Sequence, residues 1–546
     1  MGVPSFEASN AIIYLTYGAL LLSGCAVAWK LRHQNKGEYL SSNRTQKAIP
    51  LALNFIASGE LNSGLRGRLI LSPAGLGSGI LFTYPEISTI AGVQGLVVYS
   101  LSSGLPLLAF GWLGPIIRRK CPEGFVLTEW TRKRYGAVTA LYLSVMTLIT
   151  LFLYMVAELS ALQQTITALT GLDGLPAVIF ECVVTTIYTT LGGFKVSFVT
   201  DNIQATMVLG LILIGVITVG STTHVDRSLI ASSGLLDSSL LGWQLIYILP
   251  VAVLTNDFFI SGFWMRTFAS RSDKDLKIGT AIAAGAVTAI LVLVGSTGLL
   301  AAWSGALTPE TYESEGSVSF FLLLGSLPAW VIGIVLVMVV SLSTSAFDSF
   351  QSAMVSTGSN DLFRNRLSLW WIRAAVVLVI PPTIVVALKS PSVLQVYLIS
   401  DLVSAALIPV LLIGLSERCY AWRGFEVVVG GLGGILSVFL FGLVYYAGDA
   451  RLAANLLLLE NGLYLDDWSA FGAFVAAPVG GLLWAAAAFA LRVALAWARA
   501  RATGTRFAAF DDPRKVAVET DEAADAATRV VTTVKGGEED VGGRFV

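Results

Sequence analysis

Charge is what this sequence has least of. Charged residues are 13% of its 546 positions and hydrophobic ones 55%, whereas a soluble domain carries about 25% charged residues. That balance excludes a water-soluble fold. Histidine is nearly missing too: His33 and His224 both lie outside the apolar stretches, so no intramembrane histidine metal cluster can form. No nucleotide-binding motif appears, which further weakens any reading as a membrane enzyme. Of the four cysteines, Cys25 and Cys182 sit in or beside apolar stretches and Cys121 and Cys419 in polar loops, a distribution that implies no disulfide framework. Neither sign of charge is in surplus, with 35 basic against 36 acidic residues and a formal net charge of -1, and nothing points to a nucleic-acid partner. Ten-residue segments of alternating polarity are also missing, which excludes a porin-like barrel.

What the chain does have is long hydrophobic runs. Thirteen stretches of roughly 20 apolar residues, the length that crosses a hydrocarbon core of about 30 Å, are read at 10–31, 47–84 (interrupted), 91–115, 137–162, 173–192, 199–220, 240–263, 279–303, 328–357, 368–388, 391–416, 424–447 and 467–496. The 53 glycines suit closely packed membrane helices. The expected class is therefore an all-α, multi-pass integral membrane protein whose partner is the lipid bilayer. The first run lacks a basic leading segment and carries Lys30, Arg32 and Lys36 on its far side, so it reads as a span and not as a cleaved signal. In the loops facing the opposite way, basic residues are limited to Arg227, Lys389 and Arg451. The positive-inside rule then places the N-terminus outside and the C-terminus in the cytoplasm. Residues 497–546 are poor in large apolar side chains and read as a disordered cytoplasmic tail. Arg492, Arg499, Arg501 and Arg506 flank the last span, either as ordinary positive-inside residues or as contacts to anionic lipid. Between Cys121 and Gly136, Phe125, Val126 and Trp130 share one helical face, the pattern of a short amphipathic helix along the cytoplasmic surface.

An acid inside a span is costly and persists where it faces protein or water. Glu158, Glu181, Asp201, Asp257, Asp348 and Asp401 meet that description, with Glu181, Asp201 and Asp401 near helix ends where loops can solvate them. Three polar loci stand out. The ninth span holds Ser341, Ser343, Thr344, Ser345, Asp348 and Ser349 within nine residues, hard oxygen ligands for a small cation or a carrier for a proton; the alternative is that the hydroxyls bond their own helix. The second span is interrupted and resumes at Leu76-Gly77-Ser78-Gly79, and the seventh carries Pro250 ahead of Thr255-Asn256-Asp257. Broken helices of this kind are how transporters expose backbone to an ion or a solute; packing kinks are the plainer reading.

The stretch Leu191-Gly-Gly193 through Thr200-Asp201 to Gln204 resembles the signature of the sodium:solute symporter family. Ser345 to Asp361-Leu-Phe363, Thr128-Glu129-Trp with Arg134-Tyr-Gly136, and Leu40-Ser-Ser-Asn43 are similar to its fungal branch near the urea active transporters. The resemblance covers roughly residues 10–450. It implies a leucine-transporter-like fold, in which 1–46 form an extra N-terminal helix and a cytoplasmic loop. Two five-helix inverted repeats would occupy 47–220 and 240–416, with appended helices at 424–496. It implies an ion site made by the carbonyls of Ala57 and Leu76 with Ser345, Asp348 and Ser349, an inward exit near Asp201, and substrate contacts at Gly77, Ser78, Asn256 and Asp257. The expected function is secondary active transport: a sodium or proton gradient drives uptake of a small polar solute, urea or a related nitrogen compound, across the plasma membrane. The transported cation is then the one metal or proton involved, and no resident cofactor is expected. A solute channel or a non-transporting sensor are the rival classes. Where the proline-transporting branch has an Asp in its broken helix this chain has Gly59 or Gly75, and Asp348 is the proposed replacement across the same ion.

Residues 59–75 do not belong to that pattern. Arg66, Arg68, Glu60 and Pro73 interrupt a span, and each central Arg costs about 3 kcal/mol on insertion scales. The stretch is read as a retained intron, with a vestibule loop as the alternative. A GT donor fits in Gly59-Glu60 and an AG acceptor in Ala74-Gly75; joining them removes the insert and restores one glycine codon before Leu76. The genomic sequence at those codons is expected to show both dinucleotides, and the lack of either ends the idea.

Overall fold

The computed structural model describes residues 4–30, 77–122, 126–325, 327–364, 366–389, 392–460, 463 and 467–510, with backbone alone for 192–209, 211 and 369. Ala57, Leu76 and the stretch 59–75 lie outside the described residues, as does the side chain of Asp201.

Every regular element among the described residues is helical. The α-helices of eight residues or more are α1 (Phe6–Lys30), α2 (Ile80–Ile90), α3 (Gly92–Lys120), α4 (Leu127–Tyr135), α5 (Ala137–Thr170), α6 (Leu175–Thr222), α7 (Leu240–Asp257) and α8 (Ser261–Ala269). They continue as α9 (Asp273–Trp303), α10 (Ala329–Thr357), α11 (Leu369–Leu378), α12 (Ile380–Ala387), α13 (Val393–Leu412), α14 (Gly424–Tyr445), α15 (Ala450–Leu457) and α16 (Ser469–Thr503). Ten stretches among them are long and apolar enough to cross a membrane. Burial sorts the centre from the rim: the apolar window on α10 is 83% buried, that on α11 and α12 only 22%.

The stretch α6 is too long for one straight crossing. Ser343 of α10 donates to Glu181 near its start at 2.9 Å, while a Cβ at Gly215, 34 residues later, would fall 3.9 Å from Val335, also on α10. A straight helix would put Glu181 and Gly215 about 50 Å apart, whereas Val335 and Ser343 are separated by about 12 Å. The stretch is therefore not straight between Glu181 and Gly215, although its backbone is helical throughout; the sequence reads two spans there.

Small residues let the helices approach. A side chain at Gly430 or Gly434 of α14 would meet the α16 backbone, 2.8 Å from the Gly481 carbonyl and 2.6 Å from that of Ala477. On α3, Gly104 and Gly111 sit against Thr288 and Thr280 of α9 in the same way.

Two expectations about the cytoplasmic side change. Val126 and Trp130 are 1% and 2% exposed, so the apolar face of α4 packs into protein and not onto lipid. Arg132 and Arg134 donate to the carbonyls of Asp361 and Cys419 and Tyr135 to that of Leu411, which ties the helix to chain far away in sequence. Arg492 is likewise no lipid contact: it donates to Glu426 Oε1 at 2.5 Å and to the Ala421 carbonyl, and Glu426 is fully buried. The last helix runs on to Thr503, past the expected boundary at 496; Phe510 packs on Phe489 and its carbonyl accepts from Tyr420.

Removing one partner of a buried ion pair strands the other, at a cost of about 3 to 5 kcal/mol. Arg492→Met is therefore expected to lower the melting temperature in detergent more than the double variant Glu426→Gln/Arg492→Met. A double variant that falls by the sum of the single effects would contradict the pairing.

Candidate functional site

The seventh span breaks where its sequence turns polar. Helix α7 ends at Asp257, Ile260 is extended, and α8 restarts at Ser261. Phe259 and Ile260 donate to the carbonyls of Asn256 and Asp257 in a tight turn, and Trp264 Nε1 satisfies the Phe258 carbonyl at 2.9 Å. Asn256 is fully buried and holds three helices together. Its Nδ2 donates to the Tyr154 hydroxyl on α5 at 2.7 Å, and its Oδ1 accepts from Ser400 of α13 at 3.0 Å.

The other polar locus lies just ahead of α2. Ser78 donates its N–H and its hydroxyl to Glu158 Oε2 at 2.8 and 2.7 Å, and the Tyr397 hydroxyl donates to Oε1 of the same carboxylate at 3.1 Å. Glycine is required on both sides of Ser78: a Cβ at Gly77 would fall 1.9 Å from Glu158 Oε1, and one at Gly79 2.5 Å from the Tyr397 hydroxyl.

Between these two loci lies a cavity of about 150 Å³. Its walls hold three acids, Glu158, Asp257 and Asp401, against one base, Arg266. Tyr84, Tyr99, Tyr154 and Tyr397 supply aromatic faces, with Tyr84 stacked on Tyr99 at 4.1 Å and Tyr154 beside Tyr397 at 4.8 Å. Ile80, Leu291 and Phe350 complete an apolar flank. Among the described residues no Lys, Arg or His forms an ion pair with Asp257 or Asp401.

Of the site residues read from the sequence, Gly77, Asp257 and Ser349 line this cavity. Ser78 and Asn256 stand behind the wall, fully buried, with the hydrogen bonds just described. Ser345 and Asp348 are buried in α10, and Asp348 Oδ2 accepts from Tyr188 of α6 at 2.5 Å. The hydroxyl-rich run divides: Ser341 and Thr344 bond their own helix at the carbonyls of Val337 and Val340, whereas Ser343 reaches Glu181, which also accepts from Tyr17 of α1 at 3.0 Å. Asp401 had been read as an acid near a helix end, yet it is 7% exposed and faces the cavity. Glu158 had no assigned role. A signal for both was present: Tyr154 and Glu158 on α5, and Tyr397 and Asp401 on α13, repeat one tyrosine-to-acid spacing of four residues, which puts each pair on one helix face.

A multi-pass helical protein with an acidic, aromatic-walled cavity at a helix break belongs to the class of membrane transporters. No family model matches the chain. It is 52% identical over 518 residues, 94% of its own length and 95% of the other's, to a Candida albicans protein named as a spermidine transporter, and it belongs to the family of that transporter. It is also 26% identical over 199 residues, 36% of its length and 28% of the other's, to a Schizosaccharomyces pombe protein named as a probable urea active transporter. Among solved structures it is similar to a substrate-bound, outward-open Na+-coupled sialic acid symporter, with a TM-score of 0.60 at 15% identity over 87% of this chain and 97% of that one, a likeness of fold. The chain thus belongs to a family of multi-pass membrane transporters and not of enzymes.

Proposed function

We propose that the protein takes up linear polyamines such as spermidine across the plasma membrane, driven by a sodium or proton gradient. The observation that carries this is a pair of acids, Asp257 half-buried and Asp401 buried, facing one cavity with no ion pair of their own among the described residues. Ammonium groups are donors only, and they match carboxylates through charge-assisted hydrogen bonds. Their charge is further drawn to tyrosine faces, and the methylene runs between amines suit the flank of Ile80, Leu291 and Phe350. Urea can donate to a carboxylate, but it is neutral and leaves the charge of both acids unbalanced. The name of the Candida relative supports the amine reading, and the urea-named relative matches over a much shorter length.

The same reading takes the fold as two inverted five-helix repeats, spans two to six and seven to eleven, N-terminus outside. The break after α7 and the Gly77-Ser78-Gly79 entry to α2 support this, since each would open the first helix of a repeat. A cation held by Ser345, Asp348 and Ser349 with the carbonyls of Ala57 and Leu76, leaving past Asp201, would favour one access state and so couple ion to solute.

Proteoliposomes test this with radiolabelled spermidine and urea under imposed sodium and proton gradients. Saturable, gradient-driven spermidine uptake is expected. Asp257→Asn and Asp401→Asn should each raise KM tenfold or more, as loss of a hydrogen bond to a charged group worth about 1.5 to 3 kcal/mol requires, and Asp348→Asn should weaken the gradient dependence. Urea uptake that spermidine leaves untouched would overturn the substrate, non-saturating flux would indicate a channel, and unchanged coupling in Asp348→Asn would remove that residue from the ion site.

A further inference from the structure

Glu158 occupies a place that a substrate carboxylate would otherwise take. Helix α2 begins without a side-chain cap of its own and has no acid in its first turn. The first N–H groups of α2, those of Ile80, Leu81 and Phe82, bond the carbonyls of Gly77, Ser78 and Gly79, and the positive end of its dipole meets a carboxylate brought by another helix. Glu158 Oε2 accepts both the backbone N–H and the hydroxyl of Ser78, and Oε1 accepts from Tyr397. The carboxylate is 1% exposed yet forms part of the cavity wall. Gly77 is the residue that lets it in, because any larger side chain there would overlap Oε1.

We infer that Glu158 is a specificity-determining residue: a built-in anion at the amino end of α2 that lets the cavity take amines and refuse the α-amino acids that differ from them by a carboxylate. The inference rests on the polyamine reading. Ornithine is putrescine with one carboxylate added. In the parent protein that group meets a helix end already filled, and beside Glu158 it would place two like charges at one point. Putrescine and spermidine bring no such group, and their ammoniums face Asp257 and Asp401 with the helix end left undisturbed. Asp257 and Asp401 alone would attract both classes of molecule by their amines, so they do not account for this discrimination.

The test is competition against labelled spermidine in proteoliposomes, using putrescine and ornithine as the pair of probes. Parent protein is expected to be inhibited by putrescine and at least a hundredfold more weakly by ornithine. Glu158→Ala vacates the helix end, and the ornithine-to-putrescine ratio should narrow tenfold or more. Glu158→Gln keeps the size of the side chain and an acceptor for Ser78, so it is the variant expected to fold in any case; it removes the charge, and a narrowing of at least threefold is expected. A ratio unchanged in the folded Gln variant overturns the inference, whatever happens to the Ala variant, since a merely structural role would lower uptake of all amines without moving the ratio. If the parent takes up neither amine, the polyamine reading itself fails, and this is seen before any variant is compared.

Discussion

A carboxylate or amide inside a membrane protein must find hydrogen-bonding partners there, and the arrangement of the inner helices follows from how Glu158 and Asn256 do so. Glu158 binds Ser78 and Tyr397 and thereby joins α5, the entry to α2, and α13. Asn256 bonds Tyr154 and Ser400 between α5, α7 and α13 at the point where the seventh span breaks. Asp257 and Asp401 stand on the cavity side, with no ion pair among the described residues.

The backbone obeys the same constraint. Irregular chain at membrane depth is tolerated where protein or a cavity surrounds it. The turn at 258–260 meets this by short-range bonds and by Trp264, and Gly77 and Gly79 meet it by giving up side-chain volume to Glu158 and Tyr397. Away from the cavity, Glu181 with Tyr17 and Ser343, and Asp348 with Tyr188, use hydroxyl donors to bind α1, α6 and α10 together.

Length and apolarity made the helical, multi-pass character legible, and Pro250 with Asn256-Asp257 pointed to the break because both signals are local. Glu158 was only one acid among six, since its partners lie 80 and 239 residues away and no local pattern announces them. Asp401 lies in the middle of α13 and not near its end, because the sequence alone does not mark where that helix begins. The apolar face of α4 looked suited to lipid and Arg492 to ordinary flanking or a lipid contact, yet both are satisfied by protein, a distinction that depends on tertiary neighbours. The urea expectation came from a branch-level resemblance, whereas the polyamine proposal draws on side chains that line the cavity from α5, α7, α13 and α2.

The most direct measurement is a structure of the full chain in lipid with spermidine bound. Density for an extended amine is expected in the tyrosine-walled cavity, with ammonium nitrogens at hydrogen-bonding distance, about 3 Å, from the carboxylates of Asp257 and Asp401. Spermidine lodged elsewhere, with that cavity holding water alone, would contradict the account.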